Sequence, residues 1–457
     1  FGTYWSQTPN WDLGTTPTSA NTTDLVIGGT TNVGSMIWHD LTSPLTIRSL
    51  TFNDSNDANT TLYLSRTVGG GASRSFIFSS DTGNATLTVE AGSTGNKLVT
   101  SAIAGSTITL TSSLNIVHNG SGNLTIGGNA IFTGAGNITK SGTGTLILSG
   151  NNTYTGATTI SAGTLKAGSA TGISSASTLN ATGGVFDLNG YNATVAAVGV
   201  GNAAGTITNS ASGSGTNTLT ITNYTVNLAS LITDGSTAKT AVTLYNNGGA
   251  NVLSNANNTF SGGLTLANGG FSPRLYQGSV TNTLVNGTLT KSNFGTGTVY
   301  IGANGSTAAG QLMLNSGSVY NNIIVNAATY SDAGLAAFRI DGTVAFYGTL
   351  TAGASDISLS NGSGTGSATA YGQLTGTNGL LLNPSQGTAF TLTLANTANA
   401  ANNYSGNTTI SANTTLALGA ANQIANGAGK GNLIINSGTF NMAGFSETIN
   451  GLSGNGT

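Results

Sequence analysis

Residues Asn137–Gly168 read NITKSGTGTLILSGNNTYTGATTISAGTLKAG, and parts of this stretch recur further along the chain. The segment NNTYTG at 151–156 is followed by NNTFSG at 257–262 and by NNYSG at 402–406. The first and third copies both continue into TTIS. A unit that recurs within one chain is typical of folds built by stacking similar coils. The recurrence therefore predicts a stacked architecture.

Two positions of the recurring segment carry a structural hypothesis. We interpret its aromatic residue as a buried corner side chain. The paired asparagines before it (151–152, 257–258 and 402–403) are interpreted as turn residues whose amides form ladders between coils, and the first of each pair marks the repeat position. The residues at these positions are Tyr154, Phe260 and Tyr404, and Asn151, Asn257 and Asn402.

The composition is low in charge. The chain has 457 residues, 69 glycines, no cysteine, 5% charged residues and a net charge of −2, whereas an ordinary soluble domain carries about 25% charged residues. With 38% hydrophobic residues the chain is not of the disordered class, so its surface consists of Thr, Ser, Asn and Gly. Scattered cations argue against nucleic acid as a partner, and no apolar run is long enough to span a membrane as a helix.

The hydrophobic periodicity is two. In Thr145–Ser149 the side chains of Leu146 and Leu148 share one face, and similar short strands bounded by Gly, Asn or Ser run through the whole chain. This pattern predicts an all-β fold. An antiparallel sandwich and a parallel solenoid both fit short strands, but long-range repetition favours the solenoid, which grows because each coil contacts only its neighbours.

A longer duplication supports the solenoid. Tyr154 and Tyr404 lie 250 residues apart, and VFDLNGY at 185–191 resembles TFNMAGF at 439–445. We predict a capping or opening segment over residues 1–60 and one continuous array over 61–457. The repeat motifs of this array are expected near 137–168, 240–268 and 390–419.

Asn137–Gly168 closely resembles the passenger-associated strand repeat of bacterial autotransporter adhesins and of giant surface proteins with autotransporter-associated β-strand repeats. The start, with Trp5, Trp11, Asp24–Gly29 and Arg48–Asn53, looks like the opening segment of such arrays. The resemblance implies a right-handed parallel β-helix (β-solenoid), secretion and display at the bacterial cell surface. Nothing here resembles the C-terminal membrane barrel of an autotransporter, and we expect these residues to be part of a longer chain.

The aromatic residues near the start predict a cap. All three tryptophans, Trp5, Trp11 and Trp38, lie in the first 97 residues with eleven of the 24 charged residues. The end coil of a solenoid exposes strand edges and core, so we interpret these residues as cap aromatics. A platform on which sugars stack is the alternative. His39, beside Asp40, is expected to be a hydrogen-bond partner within the cap.

Candidate sites for chemistry are few, and no catalytic or cofactor-binding residue is predicted. Asp332 and Asp341 flank Arg339, which we interpret as a solvated ion pair. The loop at 53–57 is rich in oxygen ligands, so calcium at Asp54 and Asp57 is the alternative to a turn with Asx hydrogen bonds. Two histidines are too few for a histidine metal site.

The sequence thus favours a secreted, non-enzymatic structural element, such as a stalk, sheath, fibre or filament subunit that associates with itself end to end or laterally. A binding module that recognises glycans or neighbouring surfaces through loops at 271–277 and 383–386 is the second reading. A polysaccharide-active β-helix enzyme is the third, and the scattered carboxylates disfavour it.

Overall fold

The computed structural model describes residues 3–7, 15–29, 36–41, 44–54, 59–65, 73–199, 204–223, 227–246, 250–268, 274–303, 310–326, 336–362, 365–383, 389–397 and 400–457. Within these ranges the chain forms short strands and turns and no helix.

The first half of the strand order is β1 Thr3–Tyr4, β2 Asp24–Gly29, β3 Met36–Trp38, β4 Leu45–Ile47, β5 Ser49–Asp54, β6 Thr60–Tyr63, β7 Phe76–Phe78, β8 Ala85–Val89, β9 Lys97–Thr100, β10 Ser106–Leu110, β11 Leu114–His118, β12 Asn123–Ile126, β13 Ala130–Gly134, β14 Ile138–Ser141, β15 Thr145–Leu148, β16 Thr158–Ile160, β17 Thr164–Ala167, β18 Thr178–Ala181, β19 Val185–Asp187, β20 Ala193–Val195, β21 Ala197–Val198, β22 Thr206–Thr208 and β23 Thr216–Ile221.

The second half is β24 Asn227–Leu228, β25 Leu231–Ile232, β26 Lys239–Asn246, β27 Ala250–Leu253, β28 Leu264–Asn268, β29 Arg274–Gln277, β30 Asn282–Val285, β31 Thr288–Ser292, β32 Val299–Ile301, β33 Gln311–Val319, β34 Ile323–Val325, β35 Phe338–Phe346, β36 Leu350–Ala352, β37 Ile357–Ser360, β38 Gly366–Ala370, β39 Leu374–Gly376, β40 Leu380–Leu382, β41 Phe390–Leu394, β42 Thr408–Ile410, β43 Thr414–Leu418, β44 Leu433–Ile435, β45 Thr439–Asn441 and β46 Leu452–Gly454.

The chain divides into two compact units, one formed by residues 1–220 and 233–240 and the other by residues 221–232 and 241–457. In the first unit, strands from successive coils stack in three sheets. Their orders are β1-β3-β6-β9-β12-β15-β17-β19-β22, β2-β5-β8-β11-β14-β16-β18-β21, and β4-β7-β10-β13.

In the second unit one sheet runs β26-β28-β32-β34-β36-β39, and a larger one runs β24-β27-β29-β33-β35-β37-β40-β42-β44-β46. Strand β35 also begins a parallel column, β35-β38-β41-β43-β45, on another side of the coils. Among the strand pairs that the structure describes, only the hairpin β30–β31 is antiparallel. Each unit is therefore a parallel β-solenoid, and the predicted all-β fold class is confirmed.

The period-two pattern explains the core. Strands such as β8 and β11 alternate buried and half-buried residues along their length, because successive side chains point to opposite faces. Parallel register then stacks the inward positions into apolar columns, each buried side chain contributing about 1.5–3 kcal/mol. One column of the second unit is Leu264, Val299, Ile323, Leu350 and Leu374.

Candidate functional site

The recurring segment lies each time along the terminal strand of a sheet. In the first copy the Thr153 and Thr155 amides donate to the carbonyls of Phe132 and Gly134, both at 2.9 Å, so the segment follows β13. The corresponding bonds of the other copies are Thr259 N–H to Ile232 O at 3.0 Å, Asn403 N–H to Leu374 O at 2.9 Å and Ser405 N–H to Gly376 O at 3.0 Å. Strands β13 and β39 are each the last of their sheets, and the second copy follows β25 in the same way. The segment therefore closes one sheet of the solenoid.

A buried asparagine two residues before the aromatic makes this closure. Asn152 accepts the Phe132 N–H at its Oδ1, at 2.8 Å, and donates from Nδ2 to Gly172 O, at 2.7 Å. One side chain thus bridges the coil before it and the coil after it. The equivalent bonds are Ile232 N–H to Asn258 Oδ1 and Asn258 Nδ2 to Asn293 O, and Leu374 N–H to Asn402 Oδ1 and Asn402 Nδ2 to Gln423 O.

These amides replace strand-to-strand hydrogen bonds. A terminal strand has backbone groups that no further strand pairs, and leaving them buried without a partner costs free energy. The amide side chain offers one acceptor and two donors, which satisfies an N–H on one side and a C=O on the other. The arrangement is an amide-to-backbone bridge between coils, not the stack of amide on amide that the sequence pattern suggested.

The structural register differs from the sequence alignment in two copies. Asn151 and Asn257 are exposed, and the buried bridges are their neighbours Asn152 and Asn258. The third copy is one residue shorter, so that Asn402 occupies the buried position. Counting back from the aromatic, rather than forward from the first asparagine, identifies the bridging residue in all three copies.

The corner aromatics all lie in the core. Tyr154 and Tyr404 are buried, and their hydroxyls pair with Thr158 and Thr408 four residues on, at 2.7 and 2.6 Å. Burial raises the pKa of Tyr404 to about 12, although the Thr408 bond opposes that rise. In the second copy both hydroxyls are lost together, because Phe260 is followed four residues later by Leu264.

Lys140 is a buried cation held by carbonyl groups. Its Nζ donates to the carbonyls of Ser141, Gly142 and Ala162 at 2.8, 2.9 and 3.2 Å. Gly142 has φ of 72°, the left-handed region that favours glycine. Burial lowers the Lys140 pKa to about 8. Burial, and then the charge of Lys140, lowers the pKa of the core residue His118 to about 4.

The carboxylate of Asp54 is occupied by protein groups. Lys97 Nζ lies 3.0 Å from its Oδ1, Ser93 Oγ donates to the same oxygen at 2.5 Å, and Thr60 Oγ1 donates to Oδ2 at 2.7 Å. Burial raises the Asp54 pKa, but the hydrogen bonds from Ser93, Thr60 and Lys97 outweigh it and the pKa is lowered. Asp57, the second calcium candidate, lies outside the described residues. Asp54 is one partner of a buried ion pair with Lys97.

Of the cap aromatics, Trp5 is buried, with its ring stacked on Phe76 at 5.6 Å and tilted against His39 at 5.2 Å. Trp38 is half-buried and stacks on Tyr63 of the next coil at 4.2 Å, and Trp11 lies outside the described residues. The His39 ring nitrogens bond no group in the described part of the chain, so its expected hydrogen-bonding role is wrong. Burial lowers the His39 pKa to about 4, so the ring packs as a neutral group.

Asp341 is held by an ion pair and by a backbone hydrogen bond. Asp341 pairs with Arg339 at 2.8 Å and accepts the Gly362 N–H, and Asp332 lies outside the described residues. Among the residues that the structure describes, no group of three or more His, Asp or Glu could hold a metal ion. Of the candidate binding loops, 271–273 and 384–386 also lie outside the described residues.

A column of tyrosines in the second unit escaped the sequence interpretation. Tyr320, Tyr347 and Tyr371 follow strands β33, β35 and β38, and their rings stack at 4.5 and 4.9 Å. Tyr347 and Tyr371 are 43% and 42% exposed. Burial, and then the two neighbouring phenols, raises the Tyr347 pKa. The signal in the sequence is a tyrosine after an apolar residue at spacings of 27 and 24 residues.

Residues 138–167 match the family model described as Passenger-associated-transport-repeat. The repeat contains the buried Lys140, the Asn152 bridge and the Tyr154 corner. No curated protein and no solved structure matches the chain.

A parallel β-solenoid with this repeat fits the autotransporter passenger repeat proteins, and the repeat family implies secretion or surface exposure. The described part of the chain holds no helix long and apolar enough to cross a membrane.

Proposed function

We propose that this chain is a non-enzymatic structural protein of the bacterial surface, a solenoid segment of a fibre, filament, stalk or sheath. The observation that supports this role best is the bridging asparagine at each sheet end. The last strand of a sheet would leave backbone N–H and C=O groups unpaired. At these positions Asn152, Asn258 and Asn402 each link their own coil to the coil before it and the coil after it. Such bridges resist separation of coils under load.

The outward faces support lateral association. In the first unit one outward column runs through Ser49, Thr86, Asn115, Thr139 and Thr159 on strands in register. These side chains are uncharged, so two such faces meet without like-charge repulsion. The net charge of −2 over 457 residues keeps long-range repulsion low as well.

The last coil of the second unit supports association along the axis. Leu452 on β46 is 65% exposed, Met442 lines the same pocket, and Met442 and Phe445 are exposed as well. Strand β46 pairs with β44 on one side, and no strand among the described residues pairs with its other edge, which can take a further parallel strand. A coil of a second copy, added in parallel register, would cover these side chains.

Electron microscopy and sedimentation of the 457-residue chain over a concentration range test the proposal. We expect particles that associate into fibres or side-by-side bundles as the concentration rises, and an axial component that Leu452→Lys weakens. Val285→Lys, at an exposed apolar residue of the hairpin, is the matched control and should leave association unchanged. Monodisperse particles at all concentrations, together with release of reducing sugars from polysaccharides, would replace the structural role by an enzymatic one.

A further inference from the structure

The tyrosine column has one open end. Backbone hydrogen bonds place the next coil in the same register, since Tyr347 N–H, Tyr371 N–H and Ala395 N–H each donate to the coil before them at 2.8 Å. Gly419 N–H continues the series at 2.7 Å. The residues that follow Tyr371 in the column are therefore Ala395 and Gly419.

Neither Ala395 nor Gly419 carries a ring that would cover the outer face of the Tyr371 ring. Coils are about 4.8 Å apart, so two positions without a ring give a shelf of about 10 Å along the axis. The floor of the shelf is close-packed, because a Cβ on Gly419 would lie 2.7 Å from the Ala395 Cβ. The ring stack has room for a further flat ring where the fourth tyrosine is missing.

The opposite end of the column is different. Val280 bridges Gly317 in parallel, and hairpin β30–β31 begins two residues later. Asn282 donates to Ser318 O at 2.5 Å, which fixes the base of the hairpin to the strand that leads to Tyr320. In this register Thr283 falls beside Tyr320. The hairpin thus marks one end of the column and the shelf marks the other.

The surface beside the shelf is uncharged and carries hydroxyl groups. Strands β38, β41, β43 and β45 contain no charged residue. Their register forms two outward columns next to the tyrosines. The members are Thr343, Ser367, Thr391, Thr415 and Thr439 in one, and Ala345, Thr369, Thr393, Ala417 and Asn441 in the other. On β35, Arg339 and Asp341 neutralise each other.

We propose that this shelf binds an uncharged polysaccharide, with one pyranose ring stacked on the free face of Tyr371. A pyranose has an apolar face of C–H groups that suits an aromatic ring and a rim of hydroxyls that suits threonine. The tyrosine rings are nearly parallel, at 5° and 13°, so a stacked sugar continues their column above Ala395. Its rim then faces Thr393, two residues away on the same strand. Absence of charge selects against anionic polymers.

Titration of the full chain with cellohexaose, xylohexaose, mannohexaose and chitohexaose, by calorimetry and saturation-transfer NMR, tests the proposal. We expect binding of at least one neutral hexasaccharide that is insensitive to salt, and Tyr371→Leu should weaken it about tenfold or more, since loss of about 1.4 kcal/mol of stacking and contact is a factor of ten. Ala395→Arg should also weaken it, because it fills the shelf.

The matched control is Tyr191→Leu, which removes a similarly exposed tyrosine from the first unit and should leave binding unchanged. Far-UV circular dichroism of each variant verifies the fold. The proposal is overturned if no neutral hexasaccharide binds, if Tyr371→Leu binds like the unmutated chain, or if the chain prefers alginate with an affinity that falls steeply with salt. Association of chains that depends on Tyr371 would also overturn it by assigning the shelf to a second copy.

Discussion

Replacing Asn152 by alanine tests the bridging role of the recurring segment, and Asn151→Ala is its control one residue away. Asn152 is 5% exposed, and its amide satisfies one buried donor, the Phe132 N–H, and one buried acceptor, Gly172 O. Each such group left without a partner costs about 1–3 kcal/mol. We therefore expect Asn152→Ala to lower the free energy of unfolding by about 2–4 kcal/mol. Asn151 is exposed, and its replacement should change stability by less than about 0.5 kcal/mol.

Hydrogen exchange measured by mass spectrometry gives the local readout. The Phe132 amide loses its acceptor in Asn152→Ala, so a peptide covering strand β13 should exchange about 10- to 100-fold faster, which corresponds to about 1.4–2.7 kcal/mol. Urea denaturation followed by circular dichroism gives the global effect. In the third copy Asn402 is the bridging residue and the exposed Asn403 follows it, so Asn402→Ala should destabilise and Asn403→Ala should not.

The reasoning is refuted if Asn151→Ala destabilises as much as Asn152→Ala, or if exchange in β13 does not change. The first result would restore the register in which the leading asparagine of each copy is the structural one. The second would mean that the amide contributes little to closure of the sheet.

Three other predictions concern buried groups. Burial holds the Lys140 pKa at about 8 in the folded chain, below its value of 10.5 in an exposed chain. The unfolded state therefore binds more protons between these pH values, and the free energy of unfolding should rise from pH 8 to 10.5. Urea titrations of Lys140→Met should lack this rise. Tyr404→Phe should lower the free energy of unfolding by about 1 kcal/mol, because it leaves the Thr408 hydroxyl without its partner. In a double-mutant cycle, adding Thr408→Val should recover part of this loss, and the absence of any recovery would contradict the prediction. Lys97→Met should lower the free energy of unfolding by about 3–5 kcal/mol, because it leaves the buried Asp54 carboxylate without its cation. Millimolar calcium should not change the thermal midpoint of the unmutated chain, and a calcium-dependent rise would show that Asp54 is a ligand.

The sequence predicted the fold class because the evidence for it is local. The alternation of apolar and polar residues in segments such as Thr145–Ser149 depends only on the two-residue period of a β-strand, and turn residues mark the ends of each strand. The aromatics Tyr154, Phe260 and Tyr404 were also found from sequence, because their spacing to the apolar strand that follows is constant at four residues to Thr158, Leu264 and Thr408.

The sequence alone did not show which asparagine of each pair is buried. Asn151 and Asn152 have the same side chain, and nothing local decides which one turns inward. The missing residue in the third copy pointed to the answer, since Asn402 keeps the two-residue distance to Tyr404. His39 was misread for a similar reason: Asp40 is its neighbour in sequence, but the aspartate bonds Ser6 and the ring packs between Trp5 and Phe76.

The tyrosine column depended on tertiary structure entirely. Its members are 27 and 24 residues apart, because turns between coils differ in length, and only the strand pairing brings Tyr320, Tyr347 and Tyr371 into contact. The sequence by itself determined that the chain forms short strands, an uncharged polar surface and a repeated corner, since these follow from side-chain type and near neighbours. Only the tertiary structure decided which coil lies on which, and hence where rings stack and where a shelf remains, because parallel register is set by hydrogen bonds between residues 19 or more positions apart.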